Sequence, residues 1–470
     1  SNWREYEYGG SLENRARFLM EIIENVRKKC GPRFPIEVRI SSTEFPDLTP
    51  GAPNGITVEE SCQLAELLDG KIEILHCSVG NSYYPELSRL GHPSMFEPHG
   101  VNVKYAAEIR KHVSKTLIAC VGGLSTPEEM EEIIASGKAD ICAIGRALIA
   151  DPDIARKSRL GQDEDIRPCL RCSTCLASMT DQHILKCSVN PIMGRELENQ
   201  NAPLPTTPKK VLVVGGGPGG MAAAQFCAER GHKVTLYEKD DKLGGTINFA
   251  KYATFKWSLD DYMNYRIHMM DKLGIDVRLG VEATPEMIKA EHYDVVMAAL
   301  GSSNIILPIE GKDDPRVICA VDTFGNADKI GQKVVVIGGG EVGCEAALYL
   351  AMECGKDVAI IEMMDRIAAT SAYAQELALY DRVPKYCELH LSSPVTRITP
   401  TQVGYKDPET GEEKFLDADT VVFASGRKAL ENEAEKFRFC APKFFKIGDC
   451  LKASNVRNAN RTAYDAAAQI

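Results

Sequence analysis

The chain has 470 residues, of which 44% are hydrophobic and 26% charged, as is typical of a globular protein of about three domains. Its net charge of −11 argues against nucleic acid and anionic membranes as partners, because the Coulomb interaction would be repulsive. No apolar run approaches the length of a membrane span, and the opening SNWREYEYGG lacks the apolar core of a signal peptide. Most of the 16 cysteines lie singly in apolar patterns, which predicts small buried residues of a cytoplasmic protein.

Strands and helices alternate from residue 11 to about residue 150. Strands are predicted at FPIEVRIS (34–41), KIEILHCSVG (71–80), KTLIACVGG (115–123) and ADICAIGR (139–146), with amphipathic helices between them. This alternation predicts a parallel sheet with right-handed crossovers. The last two strands have the form of strands seven and eight of a (β/α)8 barrel, whose loops often bind phosphate.

Five residues of this region are predicted to contact FMN. Backbone N–H groups near Gly122, Gly123 and Gly145, together with Arg146, are expected to hold its phosphate. Arg39, on the first strand, is expected to point into the barrel mouth. A surface ion pair is the alternative for Arg39.

A cysteine cluster follows, in the stretch CLRCSTCLASMTDQHILKC. The spacing C-x2-C-x2-C-x11-C is formed by Cys169, Cys172, Cys175 and Cys187. Three thiolates at intervals of three, with a distant fourth, favour one [4Fe–4S] cube. Zinc is the second alternative, since CxxC pairs suit tetrahedral zinc, although structural zinc usually joins two separate CxxC pairs. Inert thiols or a disulfide are the third.

Beyond the proline-rich linker NQNAPLPTTPKK, one unit occurs twice, beginning at Lys209 and at Gln332. Each copy has a β-branched strand, a GxGxxG turn, a helix and an acidic residue closing the next strand, which predicts dinucleotide binding. The four key positions serve, in order, the tight turn, the approach of the backbone to a pyrophosphate, the close packing of the helix and a contact with the ribose. They are Gly215, Gly217, Gly220 and Glu238 in the first copy, and Gly338, Gly340, Gly343 and Glu362 in the second. A carboxylate at Glu362 would repel a 2′-phosphate, so NADH is predicted over NADPH.

Three further motifs resemble those of flavoprotein reductases with two dinucleotide domains. They are KLGG (242–245), the AALG of VVMAALGS (298–301) and IGDC (447–450). The resemblance implies that the first copy binds FAD, with contacts from Gly244 and Gly245 and a hydrogen bond from Asp449 to the ribitol. The second copy then binds NADH.

The whole chain resembles the iron–sulfur flavoenzymes of the 2,4-dienoyl-CoA reductase and trimethylamine dehydrogenase group, which join an old-yellow-enzyme-type barrel to such a reductase. The signatures are EYGGSLENRARF (7–18), FPIEVRIS, VGG, GKADICAIGRALIADPD (137–153) and DIRPCLRC (165–172). The resemblance implies an α/β chain: the C-terminal half of a (β/α)8 barrel, an iron–sulfur loop and two Rossmann-like dinucleotide-binding domains. The implied boundaries are 1–160 for barrel strands five to eight, 161–208 for the [4Fe–4S] segment and linker, 209–309 with 420–470 for the FAD domain, and 310–419 for the NADH domain.

Barrel strands one to four are not readable. Half a barrel leaves apolar interior and sheet edges exposed, so we expect this sequence to be part of a longer chain or to pair with another.

The resemblance implies an NADH-dependent reductase, or reverse desaturase, of an activated C=C bond in an α,β-unsaturated carbonyl compound such as an enone or enoyl-CoA. Electrons would pass from NADH to FAD, to the cluster, to FMN and to substrate. The group's usual donor tyrosine belongs to the unreadable half, so Tyr83 or Tyr84 is predicted as the acid, with a packed aromatic side chain as the alternative. Ser82 aligns with the histidine of dienoyl-CoA reductases, and His92 lies in the same loop.

Two other functions stay open at this point. One is an amine dehydrogenase or demethylase that passes electrons to a protein acceptor. The other is a non-catalytic electron-transfer module. The sequence leaves the substrate, the physiological direction and the formation of a homo-oligomer open.

Overall fold

The computed structural model describes residues 4–45, 48, 55–81, 87–180, 183–203 and 205–470. The chain divides into two compact units, Ser1–Leu148 and Ile149–Ile470. The first unit ends at Leu148, and the helix Ile154–Arg159 lies in the second unit. The domain boundary at residue 160 stays a prediction.

The first unit is a four-stranded parallel sheet with helices packed on one face. Its elements in chain order are α1 (Leu12–Cys30), β1 (Glu37–Ser41), α2 (Val58–Leu68), β2 (Ile74–Ser78), α3 (Ser88–Gly91), α4 (Val103–Arg110), β3 (Leu117–Val121), α5 (Pro127–Ala135) and β4 (Ile141–Ala143), and α6 (Arg146–Ala150) leads into the second unit. The strands pair in the order β1-β2-β3-β4. The four predicted strands are thus confirmed.

Local sequence explains where three of these helices begin. The hydroxyl groups of Ser11, Thr57 and Thr126 accept hydrogen bonds from backbone N–H groups in the first turns of α1, α2 and α5. Alternate residues of the strands, such as Leu75 and Ile118, are buried beneath the helices. The opposite face of the sheet is more exposed, and Leu117 on it is 46% exposed.

The second unit contains the remaining elements. Its helices are α7 (Ile154–Arg159), α8 (Thr174–Thr180), α9 (Glu196–Asn201), α10 (Pro218–Glu229), α11 (Trp257–Lys272), α12 (Pro285–Glu291), α13 (Glu341–Leu348), α14 (Tyr373–Tyr386), α15 (Glu431–Glu435) and α16 (Val456–Ala467). Its strands are β5 (Lys210–Val214), β6 (Lys233–Tyr237), β7 (Asp276–Arg278), β8 (Val295–Ala298), β9 (Ser302–Asn304), β10 (Val317–Cys319), β11 (Lys333–Ile337), β12 (Asp357–Ile361), β13 (Cys387–His390), β14 (Val395–Ile398), β15 (Gln402–Lys406), β16 (Glu413–Asp417), β17 (Thr420–Phe423), β18 (Arg427–Ala429) and β19 (Lys443–Lys446).

Two parallel five-stranded sheets organise this unit. One has the strand order β19-β8-β5-β6-β7 and the other β10-β17-β11-β12-β13. The strands β14, β15 and β16 form a separate antiparallel sheet, and β9 pairs with β18. Each parallel sheet is therefore built around one copy of the repeated strand–turn–helix–strand unit.

The predicted return to the first domain near residue 420 is corrected by the sheet pairing. The apolar strand β17 pairs in parallel with β10 and β11, so it completes the second sheet. The chain rejoins the first sheet only at β19, which pairs with β8. None of the helices in the described ranges is long and apolar enough to span a lipid bilayer.

Candidate cofactor sites

The first glycine turn has the geometry that a dinucleotide site needs. Gly215 has φ of +108°, a conformation that glycine adopts without strain. A Cβ at Gly220 would lie 1.8 Å from the Gly215 carbonyl oxygen, so only glycine lets α10 pack this closely. Gly217 is the residue that caps the start of α10, and nothing lies within 4 Å of a Cβ placed there. Open space therefore lies beside this helix start, where first-turn N–H groups have no intrahelical acceptor and a pyrophosphate can bind.

The second turn repeats these features. Gly338 has φ of +107°, and a Cβ at Gly343 would lie 1.9 Å from the Gly338 carbonyl oxygen. Gly340 is the residue that caps the start of α13, and nothing lies within 4 Å of a Cβ placed there. The repeat seen in the sequence is thus also a repeat of backbone geometry.

The acidic residue of each copy supports its own glycine turn. Glu238 is buried and accepts a hydrogen bond from the Gly216 N–H at 2.6 Å. Glu362 is also buried and accepts from the Gly339 N–H at 2.6 Å. These bonds fix each carboxylate at the end of its second strand, where an adenosine ribose would lie.

Two distant segments close around the first turn. In the KLGG motif, Gly244 has φ of +118° and its N–H donates to the Gly216 carbonyl at 2.9 Å. A Cβ at Gly245 would lie 3.3 Å from the Gly217 Cα. The motif therefore borders the space beside the helix start.

Asp449 reaches the same region from the C-terminal end of β19. A Cβ at Gly219 would lie 3.6 Å from the Cα of Gly448, the residue before Asp449. The Asp449 carboxylate accepts hydrogen bonds from the Ser302 hydroxyl at 2.9 Å and the Ser454 N–H at 3.1 Å. These bonds fix the carboxylate near the first glycine turn.

The cysteine segment packs against the core of the first nucleotide domain. Leu170 and Val189 lie within that core, and Cys169, Cys172 and Cys187 pack against its edge. Cys175 is itself buried.

Hydroxyl and amide groups surround the sulfur atoms. Cys172 Sγ lies 3.3 Å from Thr174 Oγ1 and 3.2 Å from Ser188 Oγ. The Arg171 N–H donates to Cys169 Sγ at 3.4 Å. Donors of this kind stabilise thiolate sulfur and raise the reduction potential of an iron–sulfur cluster.

Cys187 is the fourth cysteine of the predicted set. Burial raises the pKa of its thiol to about 12, although the N–H groups of Val189 and Asn190 donate to the sulfur and oppose the shift. A thiolate here is costly unless a metal compensates its charge. Among the described residues, no three His, Cys, Asp or Glu side chains converge as ligands of one metal ion would. A [4Fe–4S] cube needs no such convergence, because each thiolate binds a different iron.

The predicted phosphate site lies in the first unit, after β3 and β4. Gly122 and Gly123 have φ of +119° and +77°, and open space surrounds Gly145. Arg146 donates through Nη2 to the Pro93 carbonyl at 2.7 Å. Its Nη1 is buried and has no partner within the described ranges, so a donor is left for an anion. This orphaned donor fits a phosphate of FMN.

Arg39 is exposed and lies in register with His76 and Ala119 on the face of the sheet away from the helices. In a (β/α)8 barrel this face turns inward. The proposed contact of Arg39 with FMN stays a prediction. Tyr83, Tyr84 and Ser82 lie outside the described residues, so the proton donor also stays a prediction.

Sequence reasoning missed a buried ion pair between the two nucleotide domains. Lys256, just before α11, donates to the carboxylate of Glu345 in α13, and the two side chains are 6% and 4% exposed. The Thr254 hydroxyl donates nearby to Glu353 at 2.6 Å. Burial raises the pKa of Glu345 to about 7, although the charge of Lys256 opposes the shift. The sequence feature that indicates this buried pair is the carboxylate of Glu345 inside the apolar stretch GCEAAL.

Two family models together cover most of the chain. One, described as pyridine nucleotide-disulphide oxidoreductase, matches residues 209–463. The other, described as the NADH:flavin oxidoreductase / NADH oxidase family, matches residues 1–165.

Comparisons that cover the whole of this chain agree with these matches. The NADH oxidase of Thermoanaerobacter brockii is 37% identical, and the alignment covers 100% of this chain and 72% of that protein. The cinnamate reductase of Clostridium sporogenes is 35% identical, with coverage of 100% and 71%. The solved 2-naphthoyl-CoA reductase complex is 32% identical with a TM-score of 0.92, and the match covers 100% of this chain and 70% of that one.

Fold, glycine turns and comparisons define a flavin-dependent oxidoreductase that uses a nicotinamide cofactor. More particularly, the chain belongs to the pyridine nucleotide-disulphide oxidoreductase and NADH:flavin oxidoreductase families. Iron–sulfur flavoenzymes of the 2,4-dienoyl-CoA reductase type combine these same two families. These comparisons confirm the family resemblance and the predicted fold class. They also confirm the predicted cofactors, which are FMN, FAD, [4Fe–4S] and NADH.

Proposed function

We propose that the chain uses NADH to reduce the activated C=C bond of an α,β-unsaturated carbonyl compound. The observation that carries the proposal is the packing of the cysteine segment on the first nucleotide domain. The same chain also has a second nucleotide domain and a first unit that matches the NADH:flavin oxidoreductase family. Ser258 donates to the Leu170 carbonyl at 2.9 Å across this contact. Similarity to a cinnamate reductase and a 2-naphthoyl-CoA reductase supports the class of substrate.

Each group of residues has one task in this proposal. When bound, the flavins and the cluster supply hydride and single-electron chemistry between NADH and substrate. Gly217 and Gly340 leave room for pyrophosphates, and Glu362 holds a ribose and disfavours NADPH. Arg146 contributes a buried donor to the FMN phosphate. Tyr83 or Tyr84 is proposed to protonate the substrate.

The two glycine turns provide a matched pair of variants. We expect Gly340→Ala to weaken NADH binding about ten-fold, or by about 1.4 kcal/mol, because its methyl group would occupy the pyrophosphate space. Gly217→Ala should instead weaken FAD retention by a similar factor. Both residues have φ near −70°, so neither substitution should disturb the backbone. Titration of NADH and of FAD into both variants tests the assignment. The reverse pattern would mean that the first domain binds NADH and the second binds FAD.

The activity is tested by anaerobic turnover of the cofactor-loaded protein. We expect NADH oxidation to depend on cinnamate or an enoyl-CoA thioester, with loss of one C=C bond for each NADH consumed. Dimethylglycine, as a tertiary amine, should leave the flavins oxidised. Flavin reduction by the amine and none by NADH would favour the amine dehydrogenase alternative. Flavin reduction by NADH without turnover of either alkene would favour an electron-transfer module.

We further infer that the substrate is a small molecule and that the protein acts in the cytoplasm. Similarity to a cinnamate reductase and a 2-naphthoyl-CoA reductase supports the small substrate. The four cysteines support the compartment, because their thiols need a reducing environment to stay available to iron. Size-exclusion chromatography with light scattering would determine whether the chain forms a homo-oligomer.

A further inference from the structure

An arginine lies fully buried beside the cysteine segment. Arg266, in α11, is 0% exposed. It donates to the Tyr262 hydroxyl at 2.8 Å, to Asn460 Oδ1 at 2.6 Å and to Gln225 Oε1. All three acceptors are neutral, although burying a cation without an opposite charge costs several kcal/mol.

Aromatic rings and the charge of a second arginine lie around Arg266. Its guanidinium lies 5.4 Å from the ring centroid of Phe226 and 5.2 Å from that of Tyr262, so aromatic faces contact it. Burial alone would raise the pKa of Tyr265, yet the charges of Arg167 and Arg266 lower it below its ordinary value. The two arginine charges therefore favour a negative charge at Tyr265, and the carboxylate of Glu229, which accepts from Gln225 at 2.7 Å, lies one hydrogen bond beyond Arg266.

Two hydrogen bonds connect the arginine with the cysteine segment. Asn460 accepts from Arg266 through Oδ1 and donates through Nδ2 to the Ser188 carbonyl at 2.8 Å. Ser188 follows Cys187 in the chain, and its hydroxyl lies 3.2 Å from Cys172 Sγ. The amide of Asn460 thus orients the residue that touches one predicted cluster ligand and adjoins another.

We propose that Arg266 is a positioning residue that sets the reduction potential of the cluster held by the four cysteines. The inference rests on the proposed function, because it assumes the cluster. Reduction adds one negative charge to a group that is already anionic, and a nearby cation stabilises the reduced state. In the low-dielectric interior this interaction is weakly screened. Arg266 also holds Asn460, and through it the Ser188 hydroxyl, toward the sulfur atoms.

The test is a redox titration of the cofactor-loaded protein, followed by the EPR signal of the reduced cluster. We expect Arg266→Gln to lower the midpoint potential, because the positive charge is lost. Arg266→Lys keeps the charge and should stay nearer the wild-type value. The control is Arg278→Gln, since Arg278 also donates to a tyrosine hydroxyl, that of Tyr237, but is 41% exposed.

A second variant keeps the test decisive if Arg266→Gln fails to fold. Asn460→Asp places a negative charge between Arg266 and Ser188 and should also lower the midpoint potential of the cluster. The inference is overturned if the variant that folds has the same midpoint potential as the wild type and the control. Iron-free wild-type protein would instead overturn the cluster assignment in the proposed function, so the two failures are distinguishable.

Discussion

Replacing Cys187 by alanine is expected to remove the cluster and to lower NADH-dependent substrate reduction by about a hundred-fold or more. Three cysteines leave one corner of the cube without its protein ligand, and the Val189 and Asn190 N–H groups lose their acceptor. The first nucleotide domain keeps its own core, so FAD reduction by NADH should persist. Iron content and a stopped-flow record of flavin bleaching measure the two effects separately.

Cys227→Ala is the matched control. Cys227 is fully buried in α10, and burial raises the pKa of its thiol to about 12, as for Cys187. It lies outside the predicted ligand set, so its loss should cost stability without loss of iron. Normal iron content and turnover in Cys187→Ala would contradict the assigned role of the cysteine segment.

The features predicted from sequence are those that short stretches determine. The turns at Gly215 and Gly338 need glycine because their φ values are positive, and Gly220 and Gly343 each pack on a carbonyl five residues earlier, so the motif was enough to place them. The four strands of the first unit were readable because their apolar runs alternate with helices. The boundary near residue 420 came instead from the family resemblance. The sequence could not correct it, because strand pairing between β10, β17 and β11 has no signature in a short window.

The buried polar contacts were not predictable in this way. Lys256 and Glu345 are 89 residues apart in the chain, and Arg266 and Asn460 are 194 apart. Lys256, Arg266 and Asn460 look like ordinary surface residues in the sequence, and only Glu345 lies inside an apolar stretch. Only the packing of separate elements decides that they are buried, and this packing links the nucleotide domains and the cysteine segment.

Replacing Lys256 by methionine is expected to lower the free energy of unfolding by about 3–5 kcal/mol at pH 8. Glu345 would be left as a buried carboxylate without its cation, in the contact between the two nucleotide domains. The double variant Lys256→Met/Glu345→Leu should recover most of the loss, because no buried charge remains. Denaturant unfolding of the single and double variants measures the coupling. Equal stability of Lys256→Met and wild type would contradict the buried pair.

The pH dependence of the free energy of unfolding reports on the same buried carboxylate, Glu345. The pKa of Glu345 is about 7 in the folded chain, above its ordinary value of 4.5, so the folded state keeps a proton that the unfolded chain has lost between these values. Its contribution to the free energy of unfolding is therefore greatest below pH 4.5 and falls as pH rises to 7, by up to about 1.4 kcal/mol per pH unit. Glu345→Gln should remove this slope, whereas Glu353→Gln, at an exposed neighbour, should retain it. The same protonation should make Lys256→Met less destabilising at pH 6 than at pH 8, because the carboxyl without its cation can become neutral.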